Sequence, residues 1–239
     1  MASDFENASS PRAVTYAQGA FSHLFRLSSR LRTKAVNAGH IADYMDWQSR
    51  TFATRPRFSS ERERLWAWMA ERTDPGRPLV VLEFGVAWGY ATDWWLRHLD
   101  EPTRRDLEWH GFDRFTGLPR AWRDQAAGTY DAGGHPPPID DPRVHWHQGD
   151  VEDTFAAVDL AALRHAPWLI LFDLDLYEPT SFAWQRLLPF IQAGDLVYFD
   201  EAMDADERRV IDELVLPAVS TRVIGTTALA LGLEVERVR

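Results

Sequence analysis

Five short apolar runs recur along this chain, separated by helix-like stretches or long connections: LVVLEF (79–84), EWHGFD (108–113), RVHWHQGD (143–150), LILFD (169–173) and DLVYFD (195–200). Runs of this length and composition, bounded by turn residues, predict strands. YATDWWLRHL (90–99) and SFAWQRLLPFIQ (181–192) read as helices. The second has Thr180 or Ser181 as N-cap, Gly194 near its C-terminus, and Pro189 to kink or shorten it. Strands buried on both faces and joined by helical crossovers imply an α/β fold with a mostly parallel sheet. Downstream, 204–219 predicts a helix, and TRVIGTT and ALALGLEVERV predict two late strands that add an antiparallel edge. Upstream, SSERERLWAWMAER (59–72) predicts a helix that Ser60 caps and Glu63 closes as a capping box.

Right-handed crossovers bring the C-terminal ends of parallel strands to one edge, where such sheets bind ligands. An acid stands at or near that end of each of the first five predicted strands: Glu83, Asp113, Asp150, Asp173 and Asp200. One such acid would be an ordinary turn residue. Five at corresponding positions point to a site.

Composition bounds that site. A length of 239 residues suits one α/β domain with its helices. No apolar run approaches the ~20 residues of a membrane span, and the N-terminus lacks a secretory apolar segment, so a soluble, cytoplasmic protein is expected. The chain has no cysteine, which excludes disulfides, thiolate nucleophiles and iron–sulfur clusters. A formal net charge of −10 argues against a nucleic-acid partner. Residues 1–20 are expected to form a flexible tail, and 21–78 a helical segment ahead of the 79–239 domain. Within that segment FSHLFRLSSRLRTK (21–34) carries Leu24, Leu27 and Leu31 at helical spacing. It reads as a helix packing on the domain or on a second copy of the chain, with a membrane-surface helix as the other reading.

The first strand leads into E-x-G-x-x-x-G (Glu83, Gly85, Gly89) and then a helix. Glycines there let the backbone approach a ligand, and the helix N-terminus offers unpaired N–H groups. A dinucleotide turn has a second glycine where this chain has Ala87, beside the bulky Trp88, which favours a smaller nucleoside ligand over a pyrophosphate. Asp113 stands where an acid can accept from ribose hydroxyls. Asp150 can accept from an adenine amino group, or can simply open a turn. Asp173, Asp200 and Glu201 close two strands that, as parallel neighbours, lie about 4.8 Å apart. Three converging carboxylates repel unless protonated or bound to a cation, and an all-oxygen set suits Mg²⁺ or a similar divalent ion. The other reading is that Asp173 and Asp175 cap the following turn. Between the second and third strands, residues 114–142 exceed the ~15 residues usual for a connection and read as a lid, with Trp122, Tyr130 and His135 as its covering side chains, or as a structural insertion.

EFGVAWG, GFDRFTGLPRAW, the later G-x-Y-x-x-G-G and DDPRV-x-x-x-x-G, DLDLYEPT and YFDEA occur in this order over about residues 79–202. Together they resemble the class I S-adenosylmethionine-dependent O-methyltransferases related to macrocin O-methyltransferase. The resemblance implies a Rossmann-like, doubly wound, seven-stranded sheet and methyl transfer to a hydroxyl of a small molecule, often a natural-product sugar. It places Glu83, Gly85 and Gly89 along the cofactor, Asp113 at its ribose and Asp150 near its adenine. Asp173, Asp200 and Glu201 would hold Mg²⁺, and Asp173 or Asp175 would take the hydroxyl proton. Two positions depart from the family's pattern: Arg114 follows Asp113 where a small polar residue is common, and Glu201 stands where a second Asp is often found. Two other readings are a metal-dependent glycosyltransferase, which uses D-x-D to hold a nucleotide-sugar diphosphate, and a binding protein that kept the fold without the chemistry.

Overall fold

The computed structural model describes residues 29–99 and 106–239. The expected tail, and residues 21–28 of the expected amphipathic helix, lie outside the described residues. From Ser29 the chain is helical to Thr51 (α1). Contacts divide the chain into residues 1–47 and 48–239. Everything described below belongs to the second unit.

Its elements run α2 (Arg62–Ala70), β1 (Leu79–Phe84), α3 (Tyr90–Leu99), β2 (Leu107–Asp113), β3 (Val144–Gln148), the single turn α4 (Val151–Thr154), β4 (Trp168–Phe172), α5 (Tyr177–Leu187), β5 (Leu196–Phe199), α6 (Ala205–Val210), β6 (Val219–Thr226) and β7 (Leu231–Val238). One seven-stranded sheet has the order β3-β2-β1-β4-β5-β7-β6. The first five strands are parallel, and β7 runs antiparallel to both of its neighbours. The fold class, the antiparallel late edge and all seven strands agree with the expectations above. Among the described residues no helix is long and apolar enough to cross a membrane.

Two local expectations differ. Glu63 closes no capping box, because its carboxylate instead accepts from the Tyr90 hydroxyl at 2.7 Å, and α2 starts without a side-chain cap. Helix α5 begins at Tyr177 rather than near Ser181, with Pro179 inside its first turn, where the missing N–H costs little. Thr180 and Ser181 donate their hydroxyls back to the carbonyls of Leu176 and Glu178 instead of capping. Pro189 does shorten the helix: the chain tightens to a 3₁₀ turn over Leu188–Phe190.

Alternation sorts the strand side chains onto two faces. On one, Leu79, Val81, Trp109, Leu169, Leu171 and Tyr198 join Leu65, Trp66 and Met69 of α2 and Trp95, Leu96 and Leu99 of α3 in one buried cluster. On the other, Phe112, Phe84, Phe172 and Phe199 pair across four adjacent strands. Their rings stack with centroids 5.0, 5.2 and 5.0 Å apart. His147 of β3 continues the row, 4.4 Å from Phe112, and Phe155 caps it edge-on. All four phenyl rings are fully buried, each contributing about 1.5–3 kcal/mol. The residue that follows each phenylalanine is Asp113, Gly85, Asp173 or Asp200. The stacked row thereby aligns the ends of four strands, and the candidate site positions are the next step along each.

Candidate active site

The strand order turns back between β1 and β4, since β2 and β3 lie on one side of β1 and β4 and β5 on the other. Crevices for ligands form at such switch points. Here Gly85 makes the crevice possible. It has φ +88°, and a Cβ on it would stand 1.9 Å from the Asp173 carbonyl oxygen, so no other residue fits without displacing β4. Gly89 (φ +78°) likewise leaves room for Pro137 of the long segment. Between them Ala87 adopts φ +47°, a conformation that is strained for a residue with a side chain.

Asp113 holds this turn. Its Oδ2 accepts the N–H groups of Val86 and Ala87 at 2.7 and 2.8 Å, and its Oδ1 that of Phe115 at 2.6 Å. A carboxylate has about four acceptor sites, so three are engaged by the protein's own backbone. The strain at Ala87 is thus offset by charge-assisted hydrogen bonds.

A cavity of about 800 Å³ opens above the strand ends. Of the residues singled out from sequence, Gly85, Asp113, Asp150, Asp173, Asp175, Asp200 and Glu201 line it, and Glu83 and Gly89 do not. Glu83 points into the layer between the sheet and α3, where Oε2 accepts from the Thr92 hydroxyl at 2.6 Å and the Trp109 indole at 2.9 Å while Oε1 has no partner. Burial raises its pKa to about 8 against those two hydrogen bonds, so Glu83 is a protonated core residue at neutral pH. Asp150, at the start of α4, pairs with Arg114 at 3.3 Å in a half-exposed contact. Arg114, the departure seen in sequence, therefore engages the residue expected at the adenine.

The carboxylates do converge, and with them come partners that sequence reasoning missed. Arg62 Nη1 donates to both oxygens of buried Asp200, at 3.3 and 3.1 Å, and the Tyr198 hydroxyl donates to Asp200 Oδ1. Arg123 reaches Glu201 at 3.2 Å and also pairs with Asp204. Glu207 is fully buried, and accepts the Glu201 N–H at 2.9 Å. Burial, then Asp200 and Asp175, push the Asp173 carboxyl well above its usual range. Asp175, a buried residue with φ +63°, is raised to about 7 by burial and by Glu201 and Asp200. Glu201 is raised to about 7 mainly by burial. The site is an acid cluster faced by two guanidinium groups, in which burial and mutual repulsion push the carboxyl groups above their ordinary range.

This donor set suits a hard divalent ion in kind but not in arrangement. Asp200 is turned to Arg62 and Glu201 to Arg123. Among the described residues no group of three or more carboxylates or imidazoles is arranged to hold a metal ion. One signal could have exposed the site's frame earlier: F-D occurs at 112–113, 172–173 and 199–200, each time at a strand end. Nothing local marks Arg62, Arg123 or Glu207.

The long segment is ordered. Leu118 and Thr129 are hydrogen-bonded, Thr116 bridges Asp131, and Leu118 and Trp122 pack on Leu176 in a small cluster of their own. Of the three expected covering side chains only Tyr130 lines the cavity, where its ring meets Trp88 edge-on at 6.3 Å. Trp122 anchors the segment instead, and His135 stands apart from the lining. Trp88, rather than crowding the turn, lines the cavity beside Tyr130 while remaining 62% exposed.

No family model matches the sequence, and no curated protein matches it. Solved structures do. CalS11, described as a TDP-rhamnose 3′-O-methyltransferase of calicheamicin biosynthesis, is similar in its apo structure at 26% identity and a TM-score of 0.51, over 72% of this chain and 77% of that one. In a second structure of CalS11 the match covers 98% of both chains at 21% identity and a TM-score of 0.52. The O-methyltransferase NovP matches at 20% identity and a TM-score of 0.50, over 73% of this chain and 80% of that one. The resemblance carried by the motifs and the likeness carried by the backbone thus agree: the chain has the fold of the class I S-adenosylmethionine-dependent methyltransferases, the fold of CalS11 and NovP.

Proposed function

We propose that the protein transfers a methyl group from S-adenosylmethionine to a hydroxyl of a small molecule, with a sugar of a natural product as the acceptor class. The observation that carries this reading is the placement of the Gly85 turn, Asp113 and the acid cluster around one cavity at the switch point of a methyltransferase fold. When bound, the cofactor supplies an electrophilic sulfonium methyl. Gly85 leaves its backbone bare for close approach, the remaining acceptor site of Asp113 suits a ribose hydroxyl, and the Asp150–Arg114 pair suits an adenine edge.

Asp175 is the proposed base. It lines the cavity, and its carboxyl, raised to about 7, is close to the optimum for accepting a hydroxyl proton near neutral pH. As the acceptor oxygen forms its bond to the methyl carbon, the S–C bond breaks with its electron pair leaving on sulfur, and the hydroxyl proton goes to Asp175. Asp173 is the neighbouring acid, whose carboxyl burial and then Asp200 and Asp175 push well above its usual range. The magnesium implied by the resemblance has no step here, because Asp200 and Glu201 are held by guanidinium groups in the arrangement described. The overall acidity of the chain keeps nucleic acid out of the proposal.

Calorimetric titration with S-adenosylmethionine, S-adenosylhomocysteine, a UDP-sugar and NAD separates the alternatives. Binding of the first two, followed by transfer of labelled methyl to a nucleotide sugar or glycoside, is expected. Binding of the UDP-sugar alone would move the protein to glycosyl transfer. Asp175→Asn is expected to lower kcat at least about 100-fold while leaving S-adenosylhomocysteine affinity within a factor of three, as for loss of a general base.

A further inference from the structure

Two aromatic side chains at the cavity have no part in the chemistry proposed above. Trp88, on the turn between β1 and α3, and Tyr130, in the long segment, both line it, and their rings meet edge-on with centroids 6.3 Å apart. Large aromatic side chains are mostly covered in folded proteins, yet these remain 62% and 39% exposed. Tyr90, another exposed aromatic of the lining, is committed: its hydroxyl donates to Glu63 and its ring lies 6.1 Å from that of Trp66. Trp88 and Tyr130 thus present open ring surface to whatever enters.

Tyr130 is held in place against a local preference. It adopts φ +69°, a left-handed conformation disfavoured for a residue with a side chain. The backbone around it enforces this. The Leu118 N–H donates to the Thr129 carbonyl at 2.8 Å, and the N–H groups of Ala132 and Gly134 donate to the Phe115 carbonyl at 3.1 and 2.7 Å. Strain imposed by surrounding structure tends to collect at positions that use it. The Tyr130 ring also lies within the field of the proposed base, since burial and then the Asp175 carboxylate raise its hydroxyl above the ordinary pKa.

Charge decides what kind of acceptor suits this pair. Among the described residues of the lining each arginine already has a carboxylate: Arg62 pairs with Asp200, Arg114 with Asp150 and Arg120 with Glu178. A diphosphate would enter without a free guanidinium and against those acids. A sugar ring without phosphate meets neither obstacle. Its C–H groups are slightly positive and are attracted to the negative face of an indole or phenol ring.

We propose that Trp88 and Tyr130 are the acceptor-selecting residues of the cavity: the pair receives the C–H face of a phosphate-free sugar ring and turns its hydroxyl toward Asp175. This rests on the methyltransferase reading, and it chooses between the two acceptor forms that reading admits.

The probe is methyl α-L-rhamnopyranoside, followed by saturation-transfer difference NMR with the protein saturated by S-adenosylhomocysteine. In wild type, saturation of the aromatic protons is expected to pass to the pyranoside C–H protons. Trp88→Ala and Tyr130→Leu are each expected to weaken glycoside binding at least about fivefold, and Trp88→Phe to recover it to within about twofold. S-adenosylhomocysteine affinity should stay within a factor of about three in all three variants, whereas a merely structural role in the cofactor turn would move it. TDP-rhamnose is expected to bind no more tightly than the methyl glycoside. No transfer to the pyranoside in wild type, unchanged binding in Trp88→Ala, loss of S-adenosylhomocysteine binding with it, or tighter binding of TDP-rhamnose overturns the proposal. Wild type that does not bind S-adenosylhomocysteine marks failure of the methyltransferase reading itself; wild type that binds it without contacting the glycoside marks failure of this inference alone.

Discussion

At the scale of single residues, the site rests on positions where one atom more or one proton fewer changes the outcome. Gly85 is the sharpest case, because a methyl group there would sit inside the Asp173 carbonyl. Gly85→Ala is expected to cost more than about 2 kcal/mol in urea unfolding and to abolish S-adenosylhomocysteine binding, through strain and displacement of β4 together. Glu83 gives a prediction in pH. Its folded pKa of about 8 lies above the ordinary value of 4.5, so the folded state holds a proton that the unfolded state releases. The stability contributed is fully present below pH 4.5 and is lost as pH rises through 8. Glu83→Gln, which cannot ionise, is therefore expected to gain stability relative to wild type between pH 5 and 8.5, by on the order of 4 kcal/mol. Denaturant midpoints across that range check it, and a constant difference would show that Glu83 ionises in the folded protein as it does in water.

At the scale of elements, the row of stacked phenylalanines connects core packing to the chemistry at the strand ends. Phe172 stands between Phe84 and Phe199 and directly precedes Asp173. Phe172→Ala is expected to cost about 3–5 kcal/mol, as large aromatic truncations in a close-packed core do. It should also weaken S-adenosylhomocysteine binding even though no contact with a ligand is removed, since the ends of β1, β4 and β5 lose their common support. A destabilised variant with unchanged affinity would separate the row from the site. The long segment behaves as a second element of this kind. Leu118, Trp122 and Leu176 form its own small cluster, so Trp122→Ala is expected to open residues 115–134 locally. Hydrogen exchange should rise across that segment while β1 and β4 keep their protection, as for a separate cooperative unit.

At the scale of the whole molecule, much of the architecture was legible because it follows from local pattern. The apolar runs, their order, the glycine turn after β1 and the acids at the strand ends can all be read within windows of a few residues, and helical crossovers between buried strands leave few topologies open. The start of α5 was misread because Pro179 looks like a turn, and a proline in a first helical turn looks the same from sequence. The Ser60–Glu63 box failed because Glu63 is taken by Tyr90, which lies 27 residues along the chain. Even the lid side chains divided on tertiary grounds, with Tyr130 over the cavity and Trp122 beneath the segment. Sequence by itself determined the strand–helix order, the parallel sheet, and the gathering of Asp113, Asp173 and Asp200 at one edge, because these depend on periodicity and chain direction. Only the tertiary structure decided how each acid is compensated. It buried Glu83 against Thr92 and Trp109, away from the cavity, and set Asp113 to hold the turn. It also brought Arg62 to Asp200 across 138 residues of chain, because the partner of a charge is chosen by distance in space, which a linear pattern does not record.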